Sequence, residues 1–540
     1  MLSPHREYVC ETNVRATSLK ELQSTVELSV KQKLELQINM VEYFQILSAI
    51  AVVFLALYYY FTSTFDFWKN RGVVGPRPLP IFGNLKDVLQ RKMIMGDCVR
   101  MLYEEYKSQP MFGIFMRRSP SLVLCDLDLI KDVLIKNFST FDDRGLSVPE
   151  KTNPLGSNLF NVDATRWRPL RTRLSPVFTS GKLKGMFSLI WESAKNLEQC
   201  LEKLAEKGEP VECQELAARF TTDVIGSCAF GIDMNALSNE ESEFRRIGKQ
   251  IFDQNWKIFL RNTFRDMFPR LYNALWFIIP LHESNKFVMK LVKDTMKYRE
   301  ENNIVRPDFI NILMEMRKHP EKLENIKLTD TILAAQAFVF FAAGFETSST
   351  TISHTLYEMA INPGMQDKLR KEIREFHAKT NGSFQYEEVK QMKYLDKIFK
   401  ETLRKYPPAT ALMRMNNADY TFNDTKVTIP KGTRVMIPVL GIHRDPNIYP
   451  DPDKFDPERF NEEAVAARHP MTFLPFGDGP RNCIGSRFAI YQTKIGLIKI
   501  LQNFRVDPCE KTLIPYVNDP KALILCPKDK AVLKISKVDN

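Results

Sequence analysis

The sequence lacks the closely spaced cysteine and histidine pairs that bind metals in small structural sites. Its nine cysteines are scattered and none forms a C-x-x-C pair, which argues against structural zinc, iron–sulfur clusters and covalently attached c-type haem. Its seven histidines form no H-x-x-x-H pair. An odd number of dispersed cysteines is typical of reduced thiols on a cytosolic face, and not of a secreted disulfide framework.

Motifs for nucleic-acid binding are also missing. The net charge is +11, from 76 Lys+Arg against 65 Asp+Glu, a surplus that suits nucleic acid, anionic lipid or an acidic protein partner. Neither zinc-finger spacing nor an RNP-type aromatic motif occurs, so we predict no nucleic-acid partner. No repeat, low-complexity run or long linker follows Gly83, which favours one large domain over residues 84–540.

What the sequence does contain is a long uncharged run, residues 43–65, rich in Ile, Leu, Val, Ala and aromatic residues. A stretch of about 20 such residues is long enough to cross a bilayer as one helix. The alternative, a buried core helix, seldom needs so long an uncharged run. The basic residues Lys69, Arg71 and Arg77 follow it, which places the bulk of the chain in the cytosol. We predict a retained signal anchor over residues 40–66.

The segments on either side of this anchor differ in character. Residues 1–39 carry five basic and five acidic residues without a recognisable targeting pattern, and Met40 stands directly before the anchor. We interpret residues 1–39 as an extension from an overlong gene model, with a regulatory extension as the alternative. Residues 67–83 contain Gly75-Pro76-Arg77-Pro78-Leu79-Pro80, which predicts a stiff, extended linker because proline fixes φ and lacks an N–H donor.

The rest of the chain has mostly helical patterns. Long helices are predicted over regions such as Leu183–Lys207, Asp330–Ile361 and Tyr394–Arg404. Short β-like pieces occur around Tyr420–Ile429 and Arg434–Pro438. The sequence therefore predicts a mostly α fold with a minor β subdomain.

The strongest local signal is the run FGDGPRNCIG, from Phe476 to Gly485. Its three glycines allow the backbone to approach something flat and bulky. Cys483 precedes a predicted helix, where the positive end of the helix dipole favours a thiolate. An iron porphyrin with one cysteine ligand needs this arrangement. The alternative is a glycine turn with a buried structural cysteine.

A second signal lies inside a long apolar helix, at Ala343-Gly344-Phe345-Glu346-Thr347-Ser348. A threonine that bonds back to the preceding turn can open a helix locally. A hydroxyl beside an acid can also relay protons, although polar packing explains the segment about as well when it is taken alone. Phe338, Phe341 and Phe345 share one face, and substrate contact and ordinary core remain about equally weighted for them.

Two further patterns place charges at helical spacing. Glu401 and Arg404 are three residues apart on one predicted helix face, where they can interact. Trp167 and Arg171 are four residues apart, so that both could reach one carboxylate. A basic surface helix is the alternative for the second pair.

Together with Pro457-Glu458-Arg459-Phe460, these segments resemble the motifs of the cytochrome P450 superfamily, in the family's order. The resemblance implies the cytochrome P450 fold preceded by one transmembrane helix, with haem b as cofactor and Cys483 as the axial ligand of its iron. It implies catalytic roles in proton delivery for Glu346 and Thr347, and a structural charge cluster of Glu401, Arg404 and Arg459. The residues that it implies around the haem are Phe476, Gly477, Arg481, Gly485, Trp167 and Arg171.

Two shorter segments, Phe178-Thr179-Ser180-Gly181-Lys182 and His443-Arg444-Asp445-Pro446, resemble the insect family-6 members. That resemblance implies a monooxygenase of the endoplasmic reticulum membrane that acts on lipophilic substrates: xenobiotics, plant compounds and endogenous lipids. Electrons would come from NADPH through NADPH–cytochrome P450 reductase, with cytochrome b5 as a further partner. The bilayer is a third partner. The segment Met267–Pro280 could contact the lipid surface or be buried in the core, and we weight these two interpretations equally.

Two rival functions belong to other classes. One is a reductase-independent isomerase or dehydratase that rearranges peroxides on the same haem, and the other is a non-catalytic haem sensor. Neither needs an acid beside an alcohol, and Glu346-Thr347 is intact, so both rank below the monooxygenase. NADPH consumption with a supplied reductase would separate the three.

Overall fold

The computed structural model of the chain describes residues 8–538, except 147, 149, 239–241, 253–254, 276, 279–282, 307, 320–327 and 381–383. The chain divides into two compact units, Met1–Asp66 and Phe67–Asn540.

The first unit consists of one helix, α1 (Tyr8–Thr62), of 55 residues. No proline or glycine occurs within it, so nothing in its sequence ends the helix, and it continues without a break through Met40. Its part Ser24–Thr62 is long and apolar enough to cross a membrane, with a hydropathy of 2.0. This apolar helix is a candidate anchor, and the predicted division into an extension and an anchor does not appear as a structural boundary.

The second unit is mostly helical with small β regions, as the sequence predicted. Its helices are α2 (Lys86–Leu89), α3 (Met95–Tyr106), α4 (Leu127–Lys131), α5 (Ala164–Leu174), α6 (Ser180–Lys207), α7 (Cys213–Ile225), α8 (Glu243–Phe252), α9 (Trp256–Met267), α10 (Pro269–Ala274), α11 (Glu283–Glu301), α12 (Phe309–Lys318), α13 (Asp330–Ile361), α14 (Pro363–Lys379), α15 (Tyr386–Gln391), α16 (Lys393–Lys405), α17 (Val439–His443), α18 (Glu462–Ala466) and α19 (Ser486–Asn503).

The strands form three small sheets. They are β1 (Met111–Met116), β2 (Ser119–Leu124), β3 (Val211–Glu212), β4 (Leu412–Met415), β5 (Tyr420–Thr421), β6 (Thr428–Ile429), β7 (Arg434–Ile437), β8 (Phe504–Pro508) and β9 (Val532–Lys537). The largest sheet has the order β1-β2-β7-β4, in which β2 and β7 are parallel and the other pairs antiparallel. The other sheets are β3-β9-β8 and β5-β6.

Helix α13 runs through the core and packs closely on α7. The absence of a side chain at Gly344 permits this approach, because a Cβ there would lie 2.3 Å from Ile225 Cδ1. Thr221 Oγ1 donates to the Phe345 carbonyl at 3.0 Å and ties the two helices together. By length and composition α13 would also pass for a membrane span, but half of that apolar window is buried inside the unit. It is therefore a core helix.

The proline-rich segment predicted as a linker packs against β1. Trp68 is buried, and its Nε1 donates to the Ile114 carbonyl at 3.1 Å. Gly113 N donates to the Val74 carbonyl at 2.8 Å, and a Cβ on Gly75 would lie only 2.0 Å from Gly113 O. Residues 67–83 thus belong to the packing of the second unit and do not form a free spacer.

Candidate functional site

The glycine-rich loop before α19 holds Cys483 in a fixed position. Gly477 and Gly479 adopt φ values of +67° and +74°, a left-handed conformation that side chains rarely allow. A Cβ on Gly479 would lie 1.9 Å from Leu134 O, so this position admits only glycine. Cys483 N donates to the Phe476 carbonyl at 2.9 Å and closes the loop. The loop therefore brings Phe476 beside Cys483, and α19 begins at Ser486, shortly after Cys483.

The Cys483 side chain is open to space on one side and surrounded by protein on the others. Burial raises the pKa of its thiol, and the Gly485 N–H and the charges of Arg171 and Arg144 oppose that rise. The Gly485 N–H, directly before α19, thus acts on this pKa in the expected direction, but desolvation has the larger effect in the protein alone. A coordinated metal ion would deprotonate such a thiol outright.

Four arginines from separate parts of the chain lie near one another, and two of them, Arg144 and Arg171, act on this thiol. Arg171 on α5 donates to the Asn482 carbonyl and to Asn482 Oδ1, both at 2.8 Å. Arg144 donates to the Arg481 carbonyl at 3.1 Å. Arg414, on β4, is buried, and the charge of Arg481 acts on it. The loop, α5 and β4 therefore bring guanidinium groups to one place.

These guanidinium groups are poorly compensated by the protein itself. The Nε atoms of Arg414 and Arg481 have no hydrogen-bond partner among the described residues, although the charges of Asp142, Asp143 and Asp163 act on Arg481. Burial and the neighbouring Arg481 lower the pKa of Arg414 to about 10, and burial also lowers the pKa of Arg144 well below its usual value. A ligand with carboxylates would relieve this repulsion, as the two propionates of a haem would.

Helix α5 supplies two of the predicted residues. It begins at Ala164, and the carboxylate of the preceding residue, Asp163, accepts from Thr165 N at 3.1 Å and caps the helix. One turn on, Trp167 is buried, and the Arg481 guanidinium carbon lies 5.0 Å from its ring centroid. Arg171 follows on the same face. The structure therefore brings Trp167 and Arg171 together with Arg481 and Cys483.

The acid and the alcohol of α13 point in different directions. Thr347 Oγ1 donates back to the Ala343 carbonyl at 2.8 Å, and Ala343 lies on an exposed face of the helix. Gln492, on α19, donates to the Gly344 carbonyl at 2.9 Å. This part of α13 therefore lies beside α19, the helix that follows Cys483. The Glu346 carboxyl instead accepts from Gln214 on α7 at 3.2 Å. The helix continues through Gly344 without the interruption that the sequence suggested.

The environment of Glu346 favours its protonated form. Burial raises the pKa of its carboxyl, and Glu215 adds to the rise, while Arg245 and Gln214 oppose it. A carboxyl group with a raised pKa can hold and release a proton closer to neutral pH than an exposed one.

The three phenylalanines of α13 divide between core and cavity. Phe341 and Phe345 are buried, with ring centroids 5.1 Å apart. Phe338 lines a cavity of about 170 Å³ bounded by α8, α9 and α11, together with Ile251, Ile258, Arg261, Tyr272 and Asn285. Phe341 and Phe345 are therefore core residues, and Phe338 is the one of the three that lines a space that a small molecule could enter.

Glu401 and Arg404 form a fully buried ion pair on α16. Arg404 Nε and Nη2 donate to the two Glu401 oxygens at 2.7 and 2.8 Å, and both side chains are 0% exposed. Arg459 Nε lies 3.5 Å from Glu401 Oε1. Arg404 also donates to the carbonyls of His443 and Pro452, each at 2.9 Å. The three predicted residues thus lie in one cluster that joins α16 to the chain before α18.

Sequence reasoning missed Arg144 and Arg414. Arg144 follows Asp142-Asp143 and looks like part of an ordinary charged loop. Arg414 carried a signal that was available: it is a single guanidinium in the otherwise apolar strand LMRM of β4. A charge in such a strand is costly unless it is used.

The chain matches the family model described as "Cytochrome P450" over residues 73–535. It is 40% identical to "Cytochrome P450 6A1" of Musca domestica over 499 residues, which cover 91% of this chain and 98% of that protein. It is 39% identical to "Cytochrome P450 6a2" of Drosophila melanogaster over 495 residues, 89% of this chain and 97% of that protein. It is 38% identical to "Cytochrome P450 6B1" of Papilio polyxenes over 493 residues, with coverages of 89% and 97%.

Proposed function

This chain belongs to the cytochrome P450 family of haem monooxygenases, with insect family-6 relatives, and from that premise we propose that Cys483 is the axial ligand of the haem iron. The observation that carries the proposal is the exposed Cys483 thiol beside a group of four guanidinium groups, of which those of Arg414 and Arg481 are buried. Within the described residues no three His, Cys, Asp or Glu side chains are placed to hold a metal ion, so a lone thiol suits a metal carried by an organic cofactor. When bound, thiolate-ligated haem supplies the activation of dioxygen.

The propionates of the haem would be held by the arginine cluster, whose members are Arg144, Arg171, Arg414 and Arg481. Trp167 would support Arg481, whose guanidinium lies over its ring. Phe476 would shield the sulfur, because the loop closes its carbonyl onto Cys483 N. Gly477 and Gly485 leave space around the loop, since a Cβ on either would have its nearest contact only at 3.6 or 3.7 Å.

Glu346 and Thr347 are the residues that we propose for proton delivery. The Thr347 hydroxyl donates to Ala343 O, which fixes its orientation and leaves its oxygen lone pairs toward the exposed face of α13. Glu346 exchanges protons at its half-buried carboxyl. Each transfer moves one proton along a hydrogen bond. The helices packed around α13 would keep bulk water away from this part of the chain.

We propose that the electrons come from an NADPH-dependent reductase, with cytochrome b5 as a second donor. Exposed basic side chains surround the loop of Cys483, and Arg487 at the start of α19 donates to Ser180 Oγ at 3.2 Å at the start of α6. A basic surface next to the thiol would suit a partner with an acidic surface. The exposed basic residues are Arg168, Lys182, Lys184 and Arg487.

Lipophilic molecules are the substrate class that we propose: foreign compounds, plant compounds and endogenous lipids. The cavity bounded by Phe338 has the apolar side chains of Ile251 and Ile258 in its wall, beside polar ones such as Arg261 and Asn285. Burial of such a substrate against these side chains gains free energy in proportion to its apolar area.

The proton-delivery role predicts the behaviour of a Thr347→Ala variant. Alanine raises helix propensity by about 0.5 kcal/mol, so the variant should fold and bind haem, substrate and reductant. NADPH consumption should continue while the product formed per NADPH falls by roughly tenfold or more, because a group that moves protons contributes at least that much. The measurement is the ratio of product to NADPH consumed with one good substrate, and peroxide formed should account for the missing electrons.

Thr347→Ser is the matched control, because it keeps the hydroxyl that donates to Ala343 O. It should retain most of the coupling. An unchanged ratio in Thr347→Ala would reduce this residue to helix packing and would leave Glu346 with an ordered water as the proton route.

We further propose that α1 anchors the chain in the endoplasmic reticulum membrane with the second unit in the cytosol. A chain that begins at Phe67 keeps the contact of Trp68 with β1, so it should fold but lose alkali-resistant membrane insertion. It should retain weak binding to lipid vesicles through exposed apolar side chains of α9 and α10. Those side chains are Trp256, Leu260, Phe268 and Leu271.

The segment Met267–Pro280 includes α10. Residues 276 and 279–280 lie outside the described residues, and Phe277 and Ile278 are exposed.

A chain that begins at Met40 should reach the membrane as the full chain does, because it keeps the whole apolar run. Cell fractionation and alkaline extraction measure both outcomes. Mislocalisation of the chain that begins at Met40 would show that residues 1–39 are a genuine targeting or regulatory element.

A further inference from the structure

The Glu346 carboxyl is held from α7 by a side chain that the function proposed above does not use. Gln214 Nε2 donates to Glu346 Oε1 at 3.2 Å. The other end of this amide, Gln214 Oε1, is buried and has no partner among the described residues. A buried polar atom without a partner is costly, so the hydrogen bond to Glu346 is what the Gln214 amide contributes at this place.

A second side chain approaches the same carboxyl from α8. Arg245 is buried and binds Glu215 with two hydrogen bonds, Nε to Oε1 at 3.1 Å and Nη2 to Oε2 at 2.8 Å. Its Nη1 is buried without a partner in the described part of the chain. The Arg245 guanidinium carbon lies 5.7 Å from the ring centroid of Phe345, the residue before Glu346. Since Glu215 follows Gln214 on α7, these side chains form one group around the carboxyl.

The charges in this group act on Glu346 with opposite signs. Burial raises the pKa of Glu346, the charge of Arg245 and the Gln214 hydrogen bond lower it, and the charge of Glu215 raises it. Cys526 also faces the group, but burial raises the pKa of its thiol to about 12, so it carries no charge near neutral pH.

The remaining charged neighbours compensate Glu215. Arg219 Nε lies 3.3 Å from Glu215 Oε1, and Lys249 Nζ lies 3.3 Å from Glu215 Oε2. Glu215 therefore keeps two cationic partners when Arg245 is replaced, and a substitution at Arg245 does not leave a bare buried carboxylate.

We propose that Gln214, Glu215 and Arg245 are positioning residues that set the ionisation of Glu346 and hold its carboxyl against α7. The inference rests on the proposed role of Glu346 in proton delivery. A buried carboxyl group whose ionisation is balanced in this way can accept one proton and release one in turn. Each step breaks one O–H bond and forms another, and no electron moves.

Three substitutions should move the pKa of Glu346 with predictable signs. Gln214→Leu removes a donor to the carboxylate and Arg245→Met removes a positive charge, so each should raise the pKa by about one unit. Glu215→Gln removes a negative charge and should lower it by a similar amount. The pKa is measured in the full-length holoenzyme by infrared difference spectroscopy of the carboxyl band, assigned by its loss in Glu346→Gln.

A second measurement connects the ionisation to turnover. The pH at which the product per NADPH falls to half should shift in the same direction as the infrared pKa in each variant. Gln502→Leu is the matched control, because Gln502 on α19 is a buried glutamine whose Oε1 likewise has no partner among the described residues. It should move neither quantity.

The outcomes separate this inference from the function on which it rests. If Glu346→Gln leaves the product per NADPH unchanged, the proposed role of Glu346 fails, whatever the infrared pKa does. If Glu346→Gln uncouples the enzyme but Gln214→Leu and Glu215→Gln shift the pKa in the same direction or not at all, the positioning role fails. Arg245→Lys keeps the positive charge and is the milder substitution. If it shifted the pKa of Glu346 as much as Arg245→Met does, the proposed role of the Arg245 charge would be wrong.

Discussion

Replacement of Cys483 by histidine should abolish monooxygenation while leaving part of the haem bound. The arginine cluster that would hold the propionates is unchanged in this variant, so haem content should fall only in part. A neutral imidazole cannot push electron density onto iron as a thiolate does. The loss of activity should therefore exceed the roughly 10–100-fold that changes around metal ligands cost.

The test is the absorbance of the reduced protein with carbon monoxide. The variant should lose the red-shifted Soret band that is typical of thiolate-ligated iron. Cys200→Ser, a substitution at a half-exposed cysteine on α6, is the control and should keep both the band and the activity. If Cys483→His retained the red-shifted band, another residue would be the ligand.

Sequence patterns defined the long helices well because their ends carry local signals. Helix α13 spans Asp330–Ile361, as predicted, and Thr329 Oγ1 caps it by accepting from Ile332 N at 3.2 Å. Pro363 begins the next helix and cannot continue the previous one. Strands were predicted only around Arg434–Pro438 and Tyr420–Ile429, because the short strands β1, β2 and β4 are apolar runs without a clear alternating period.

The site was predictable where its residues share a motif and not where tertiary contacts assemble it. The run from Phe476 to Cys483 and the pair Glu346-Thr347 are adjacent in sequence, so their residue types identify them. Arg144 and Arg414 lie 270 positions apart and meet because the loop before α5 pairs with β4, where Met415 N donates to the Asp143 carbonyl at 2.8 Å. The different directions of Glu346 and Thr347 could not be inferred either, because they depend on how α13 packs against α7.

The buried cluster of α16 predicts the largest effect on stability. Arg404→Met would leave the carboxylate of Glu401 buried with only Arg459 at 3.5 Å and the Asp456 N–H at 2.9 Å. It would also remove the donor to the His443 carbonyl. Breaking a buried ion pair from one side typically costs about 3–5 kcal/mol of the free energy of unfolding, so we expect a large fall in the thermal midpoint of the second unit.

The effect on stability should depend on how deeply an ion pair is buried. Lys393→Met removes the pair of Lys393 with Glu462, whose side chains are 84% and 96% exposed, and an exposed pair contributes at most about 1 kcal/mol. Arg459→Met should fall between the two, which keeps the prediction testable if Arg404→Met does not fold. The thermal midpoint and the haem content are measured for all three variants. The product formed per NADPH by Arg459→Met should equal that of the wild type, because a structural residue changes the amount of folded enzyme and not its coupling. Equal midpoints for Arg459→Met and Lys393→Met, or a lowered product per NADPH in Arg459→Met, would contradict a purely structural role for the cluster.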